Sequence, residues 1–128
     1  APQPVFLATM GPVAAHTARA TFATNLFAAG GVAVEAAGAT TDTSSVLEAY
    51  AGQPVVCLAG TDAAYAEWGA GLVDALRAAG ATYVVLAGKP GERTVAMRGD
   101  ADGAVDDWCA MGVDALGFLG RIREELSR

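Results

Sequence analysis

Five short apolar runs, separated by segments with helical spacing, constrain this chain more than any other feature. They are "PVFLATM" (Pro4 to Met10), "VAVEAAG" (Val32 to Gly38), "PVVCLAG" (Pro54 to Gly60), "TYVVLAG" (Thr82 to Gly88) and the weaker "VDALGF" (Val113 to Phe118). The first is continuous rather than alternating, which is the pattern of a strand covered on both faces. From about His16 to Ala29 the residues Ala18, Phe22, Leu26 and Ala29 recur at helical spacing, and Gly30-Gly31 closes the helix. "TTDTSSVLEAYAG" reads as a loop and a short helix, with Ser45 and Glu48 at the spacing of a capping box. Asp62 is expected to cap the next helix, with Trp68, Leu72, Leu76 and Ala79 inward and Gly80 at its end. Val105, Trp108 and Cys109 predict a fourth helix ending at Gly112. "LGRIREELSR" predicts a last one, with Leu119, Ile122 and Leu126 inward and Arg121, Glu124, Glu125 and Arg128 in water.

Strands alternating with helices in this way form right-handed βαβ crossovers and a parallel sheet covered on both faces. The expected fold is α/β and flavodoxin-like (Rossmann-like), a three-layer domain whose five-stranded parallel sheet has the order 2-1-3-4-5. Its natural site is the crevice at the carboxyl ends of strands one and three. The domain is expected over residues 5–128. Residues 1–4, "APQP", read as the end of a linker from a longer protein.

Composition narrows the partners. With 8 Lys and Arg against 14 Asp and Glu, the 128-residue chain has a net charge of −6 and no basic stripe, so nucleic acid and anionic membranes are poor candidates. No apolar run approaches the roughly 18 residues of a membrane span, and no signal peptide is apparent; a cytoplasmic location is expected. Cys57 and Cys109 have no CxxC spacing and read as two buried thiols of a reduced compartment.

Each ligand class served by such folds can be tried on the expected crevice, built from "MGPVAAHT", "AGTDAA" and "AGKPGE". A dinucleotide site needs GxGxxG, but Gly11 stands alone before Pro12 and Val13. A phosphoacceptor site needs acidic residues after the first strand to hold Mg²⁺; Asp62 is roughly placed, but the first loop has no carboxylate. Nucleophilic catalysis lacks a base, because His16 is the sole histidine and Cys57 is expected mid-strand, where a thiol is inert. No metal-ligand spacing occurs. Trp68 and Trp108 read as core or interface residues, and the two arginines of "GERTVAMRGD" as parts of a solvated loop.

The runs "PVFLATMGPVAAHTARATFATNLFAAGG", "VVCLAGTDAAYAEWGAGLVDALRAAGA" and "GVDALGFLGRIREELSR" closely resemble the C-terminal domain of the small (β) subunit of bacterial methylmalonyl-CoA mutase. The resemblance covers nearly the whole chain, and its domain type is the cobalamin-binding domain of isomerases and methyltransferases. Functional members of that type carry an Asp-x-His-x-x-Gly loop after the first strand, whose histidine binds cobalt while the aspartate fixes its tautomer. They also carry Ser-x-Leu after the third strand and Gly-Gly after the fourth, around the nucleotide tail. With His16 on the ligand position, the aspartate is replaced by Ala14 and the glycine by Arg19; aligned without a gap, the ligand position falls on Ala15. The third-strand signature reads Ala59-Gly60-Thr61 and the fourth Gly88-Lys89.

The resemblance therefore implies a degenerate site region comprising Ala14, His16, Arg19, Ala59, Gly60, Thr61, Gly88 and Lys89, with no catalytic, cofactor-binding or metal-binding residue. The domain is expected to be a catalytically inactive, cobalamin-free structural part of a heterodimeric mutase. The large subunit would be its partner and would carry adenosylcobalamin and the isomerisation of (R)-methylmalonyl-CoA to succinyl-CoA. The rival expectations are a working cobalamin carrier using His16 and an unrelated flavodoxin-like module binding a small molecule. His16 itself is expected on or just before the first helical turn, outside the core, so that its loss costs no more than about 1 kcal/mol.

Overall fold

A computed structural model describes residues 4–88, 105–110 and 114–127. Five parallel strands, β1 (Val5–Thr9), β2 (Val34–Ala36), β3 (Val55–Ala59), β4 (Tyr83–Ala87) and β5 (Asp107–Cys109), form one sheet in the order β2-β1-β3-β4-β5. Helices α1 (Val13–Ala29) and α5 (Ala115–Leu126) cover one face. The other face is covered by α2 (Thr43–Ala49) and by a helix in three pieces: α3 (Asp62–Ala64), a π-helical turn (Tyr65–Gly69) and α4 (Ala70–Ala79). The expected α/β flavodoxin-like architecture and strand order are those observed.

The period of a strand explains the continuous apolar runs. Val5 and Leu7 face α1 and α5 together with Val55, Cys57, Ala59, Val85 and Ala87, while Phe6, Ala8, Val56, Leu58, Val84 and Leu86 face the opposite layer. Both faces of the three central strands are covered, so their positions are mostly apolar, and the buried Thr9 hydroxyl at the end of β1 gives its hydrogen to the Gly38 carbonyl. Phe27 of α1 and Phe118 of α5 meet with ring centroids 5.7 Å apart, locking these two helices to each other over the sheet.

Helix α1 starts at Val13, three residues earlier than its apolar spacing predicts, because Pro12 supplies an extended residue with φ of −69° just ahead of it. It ends where Gly31, at φ +76°, lets the Val32 N–H reach the Phe27 carbonyl and the Gly31 N–H reach that of Ala28. Its inward stripe differs from the expected one. Ala18 and Ala29 are exposed and Phe22 and Leu26 half-buried, whereas His16, Ala23 and Phe27 are buried. Alanine and threonine fill so much of this helix that its two faces barely differ in polarity.

Caps and the last third of the chain also depart from expectation. The capping box of α2 is made by Asp42 and Ser45, rather than Ser45 and Glu48: the Asp42 carboxylate accepts from the Ser45 N–H at 2.9 Å. Thr61, rather than Asp62, caps α3 through the Ala64 N–H. The π-helical turn adds a residue to the helical phase, so Tyr65, Gly69 and Val73 are buried beside Leu72 and Leu76, Trp68 is half-buried, and Ala79 is exposed.

The segment expected as a fourth helix contains strand β5, and the expected strand "VDALGF" instead enters α5, which Asp114 caps through the Gly117 N–H. Three strand residues flanked by Val105 satisfy helical and extended spacing equally well, and Gly117 and Gly120 lower the helical signal of α5. Leu119, Ile122 and Leu126 point inward as expected. Arg121 is exposed as expected, and it also gives Nε to Asp107 Oδ2 at 2.7 Å, where Tyr83 donates to the same oxygen at 2.8 Å. The expectations for residues 1–3, for Lys89, for the loop "GERTVAMRGD", for Gly112 and Val113 and for Arg128 lie outside the described residues.

Candidate functional site

The carboxyl ends of β1, β3 and β4 open onto a crevice crossed by one side chain. Arg19, from the second turn of α1, donates Nη1 to the Gly60 carbonyl at 2.9 Å and pairs with Asp62 at 2.8 Å. Its guanidinium lies over the Tyr65 ring, 5.3 Å from the centroid. A hydrogen bond, an ion pair and a cation–π contact thus hold one guanidinium, Nη1 making the first two and the delocalised cation the third. Two clefts lie on either side of it. One, of about 480 Å³, is lined by Phe22, Ala87, Gly88, Cys109 and Ala110; the other, of about 270 Å³, by Ala15, Ala18, Gly60 and Thr61. Arg19 and Asp62 line both.

Tyr65 is the buttress behind Arg19. Its buried hydroxyl accepts from the Gly60 N–H at 2.9 Å and donates to the Ala87 carbonyl at 2.6 Å, with the Leu58 carbonyl at 3.2 Å as a second acceptor. Burial pushes this phenol well above its ordinary value, an effect the Gly60 N–H and the Arg19 charge oppose. The π-helical turn aims Tyr65 at the strand ends. Sequence spacing gave no notice of it, because the added residue falls between two ordinary helical stretches.

Two glycines leave the room that this cluster uses. A Cβ on Gly88, which sits at φ +139°, would come within 3.3 Å of Arg19 Cζ. One on Gly60 would come within 2.9 Å of Met10 Cβ.

His16 belongs to a different cleft. It is 5 % exposed and lies beneath α1 toward β1 and β2, where Leu7, Thr9, Thr24, Asn25 and Gly38 line a groove of about 280 Å³ with it. Its Nδ1 lies 3.1 Å from the Gly11 carbonyl. A carbonyl only accepts, so Nδ1 carries a proton, and in the neutral ring Nε2 holds the lone pair. The same Gly11 carbonyl accepts from the Thr40 N–H at 3.0 Å, and the Gly11 N–H donates to the Thr40 hydroxyl at 2.9 Å. His16 and Thr40 together pin the first loop.

Of the residues singled out from sequence, the fold brings Arg19, Gly60, Thr61 and Gly88 around one crevice. Ala59 ends β3 in the core, its carbonyl taken by the Met10 N–H, and Ala14 is exposed on the first turn of α1. His16 is set apart from the crevice, and Lys89 lies outside the described residues. Asp62 as an ion-pair partner, Tyr65 and Thr40 were not expected from sequence.

Cys57 and Cys109 are both free and buried. The Cys109 thiol beside it, and then burial, push the Cys57 thiol well above its ordinary value. Among the described residues no group of three or more His, Cys, Asp or Glu could hold a metal ion, and no helix is long and apolar enough to cross a membrane.

No family model matches the chain. Over 118 residues, 90 % of this chain and 17 % of the relative, it is 44 % identical to the methylmalonyl-CoA mutase small subunit of Streptomyces virginiae. Over 125 residues, 95 % of this chain and 19 % of the relative, it is 38 % identical to the probable methylmalonyl-CoA mutase small subunits of Mycobacterium bovis and Mycobacterium tuberculosis. The chain spans less than a fifth of the length of these curated relatives, and is homologous to that fraction of them.

Proposed function

We propose that this chain is the C-terminal domain of a methylmalonyl-CoA mutase small subunit, a structural module that binds no cobalamin and does no chemistry. In this reading it assembles with a large subunit that carries adenosylcobalamin and converts (R)-methylmalonyl-CoA to succinyl-CoA. Homology to proteins named as small subunits supports the assignment. The single observation carrying the cobalamin-free reading is Arg19, held by Gly60, Asp62 and Tyr65 across the crevice that a cofactor tail would enter.

The residues at hand do not fit a corrin. A histidine that ligates cobalt must present an exposed imidazole with space for a macrocycle above it, whereas His16 is 5 % exposed and lies on the β2 side of α1. Arg19 and Ala14 stand where the domain type has glycine and aspartate if His16 takes the ligand position. One feature favours the rival carrier: the Gly11 carbonyl does for Nδ1 what the missing aspartate would, and leaves the Nε2 lone pair that a metal needs.

Titration with adenosylcobalamin, followed by visible absorbance, distinguishes the two. The structural reading expects the spectrum of free cofactor throughout, with the longer parent chain co-purifying with a larger cobalamin-containing subunit. A shift typical of histidine ligation, abolished in His16→Ala, would establish the carrier instead.

A further inference from the structure

We propose that the crevice is a receptor for a planar cation, and that Arg19 occupies it as a displaceable internal ligand. The Asp62 carboxylate and Gly60 carbonyl supply two acceptors, and the Tyr65 ring supplies a π-face. A guanidinium meets all three at once, because Nη1 alone gives hydrogens to both acceptors while the charge-bearing Cζ lies over the ring. A compact ammonium, one nitrogen with three donors, can reach the two acceptors but then leaves the ring to its alkyl stem.

The receptor is built from parts that stay in place without Arg19. Tyr65 is fixed by its own hydroxyl contacts to Gly60, Leu58 and Ala87. The Thr61 cap fixes the backbone turn that carries Asp62, and Gly88, lacking a Cβ, leaves the space beside the guanidinium open. The bound group is also reachable. Clefts of about 480 and 270 Å³ meet at Arg19, whose side chain is 33 % exposed, so withdrawing it joins two openings rather than excavating the core. Joined, they fall within the ~300–1,000 Å³ of small-molecule sites. The ligand class is thus a guanidinium- or amidinium-bearing group, competing with a side chain tethered in the same site. Tethering gives Arg19 a high effective concentration, which keeps the receptor closed to weak ligands.

The test uses the 128-residue chain and N-ethylguanidinium, which replaces the atoms removed by Arg19→Ala. Amide resonances are followed during titration of the unmodified chain, Arg19→Ala, Arg19→Met and the Arg19→Ala/Asp62→Asn double variant. Saturable shifts are expected in both single variants at the amides of Gly60, Asp62 and Gly88, with a dissociation constant on the order of millimolar. Ethylammonium should bind about tenfold more weakly, as should N-ethylguanidinium to the unmodified chain and to the double variant. Shifts that do not saturate, that lie elsewhere, or that ethylammonium matches would overturn the receptor. So would loss of folding in both single variants, which would make Arg19 a structural strut rather than a ligand. None of these readouts uses cobalamin or a partner subunit, so failure here leaves the mutase reading standing, and the converse holds.

Discussion

The hydroxyl of Tyr65 lies 2.6 Å from the carbonyl oxygen of Ala87, joining a π-helical turn on one face of the sheet to the last residue of β4. The phenol oxygen of Tyr65 also takes the Gly60 N–H, so one hydroxyl bonds backbone groups at two neighbouring strand ends. In Tyr65→Phe both groups remain buried and lose that partner. Leaving such groups unsatisfied costs about 1–3 kcal/mol, and urea unfolding should show a lower midpoint with an unchanged slope.

Burial raises the Tyr65 phenol in the folded chain, so the fold favours its neutral form. The associated stability is fully present below the unfolded value, near 10, and is lost as pH rises from there through the folded value. Alkaline unfolding of the unmodified chain should therefore steepen above about pH 10. Tyr65→Phe, though less stable at neutral pH, should show a flatter dependence there; parallel curves would mean that Tyr65 ionises freely.

How much of this was legible in the sequence differs along the chain. Strands β1, β3 and β4 could be read because both of their faces are buried, leaving long apolar runs that admit one interpretation. Strand β5 could not, because Asp107 is a buried carboxylate whose partners, Tyr83 and Arg121, come from elsewhere in the chain. The crevice was legible as a place, through the topology, and Arg19 and Gly88 as departures from a family pattern. What Arg19 does there depends on Asp62 and Tyr65, whose orientation follows from a Thr61 cap and a π-helical turn that leave no periodic trace. His16 was misjudged for a related reason: α1 is so uniformly small and apolar that its buried side cannot be read from spacing.

Gly88 tests whether the crevice is closed by backbone conformation or by Arg19. At φ +139° an alanine is strained wherever its Cβ points, at a cost of about 1–3 kcal/mol. The atom it would meet, Arg19 Cζ at 3.3 Å, is the end of a flexible side chain and can move aside. Gly88→Ala should thus be destabilised about equally in the unmodified and Arg19→Ala backgrounds. Rescue by Arg19→Ala would show that the side chain, not the backbone, sets the penalty.

The two thiols should be inert while the chain is folded. Cys57 and Cys109 are fully buried, and the Cys57 thiol is pushed away from the thiolate that reacts. A disulfide reagent at about pH 8 should modify them at a rate that follows the unfolding equilibrium across a urea series. Rapid modification of either thiol in the absence of urea would mean that β3 or β5 opens locally.

His16 should matter more than a residue on an open helical turn. It is buried at the head of the inward side of α1, and its Nδ1–H holds the Gly11 carbonyl of the loop leading into that helix. Replacement by alanine removes a packed ring and one hydrogen bond. The Thr40 N–H still occupies the Gly11 carbonyl, so no backbone group is orphaned and the loss stays moderate. A decrease of about 1–2 kcal/mol in unfolding free energy is expected for His16→Ala, above the limit of about 1 kcal/mol set by an exposed position. His16→Asn, which can donate to the same carbonyl, should recover part of it. If Thr40→Ala costs no more in the His16→Ala chain than in the unmodified one, the two side chains act independently; a larger cost would show that each supports the first loop when the other is gone.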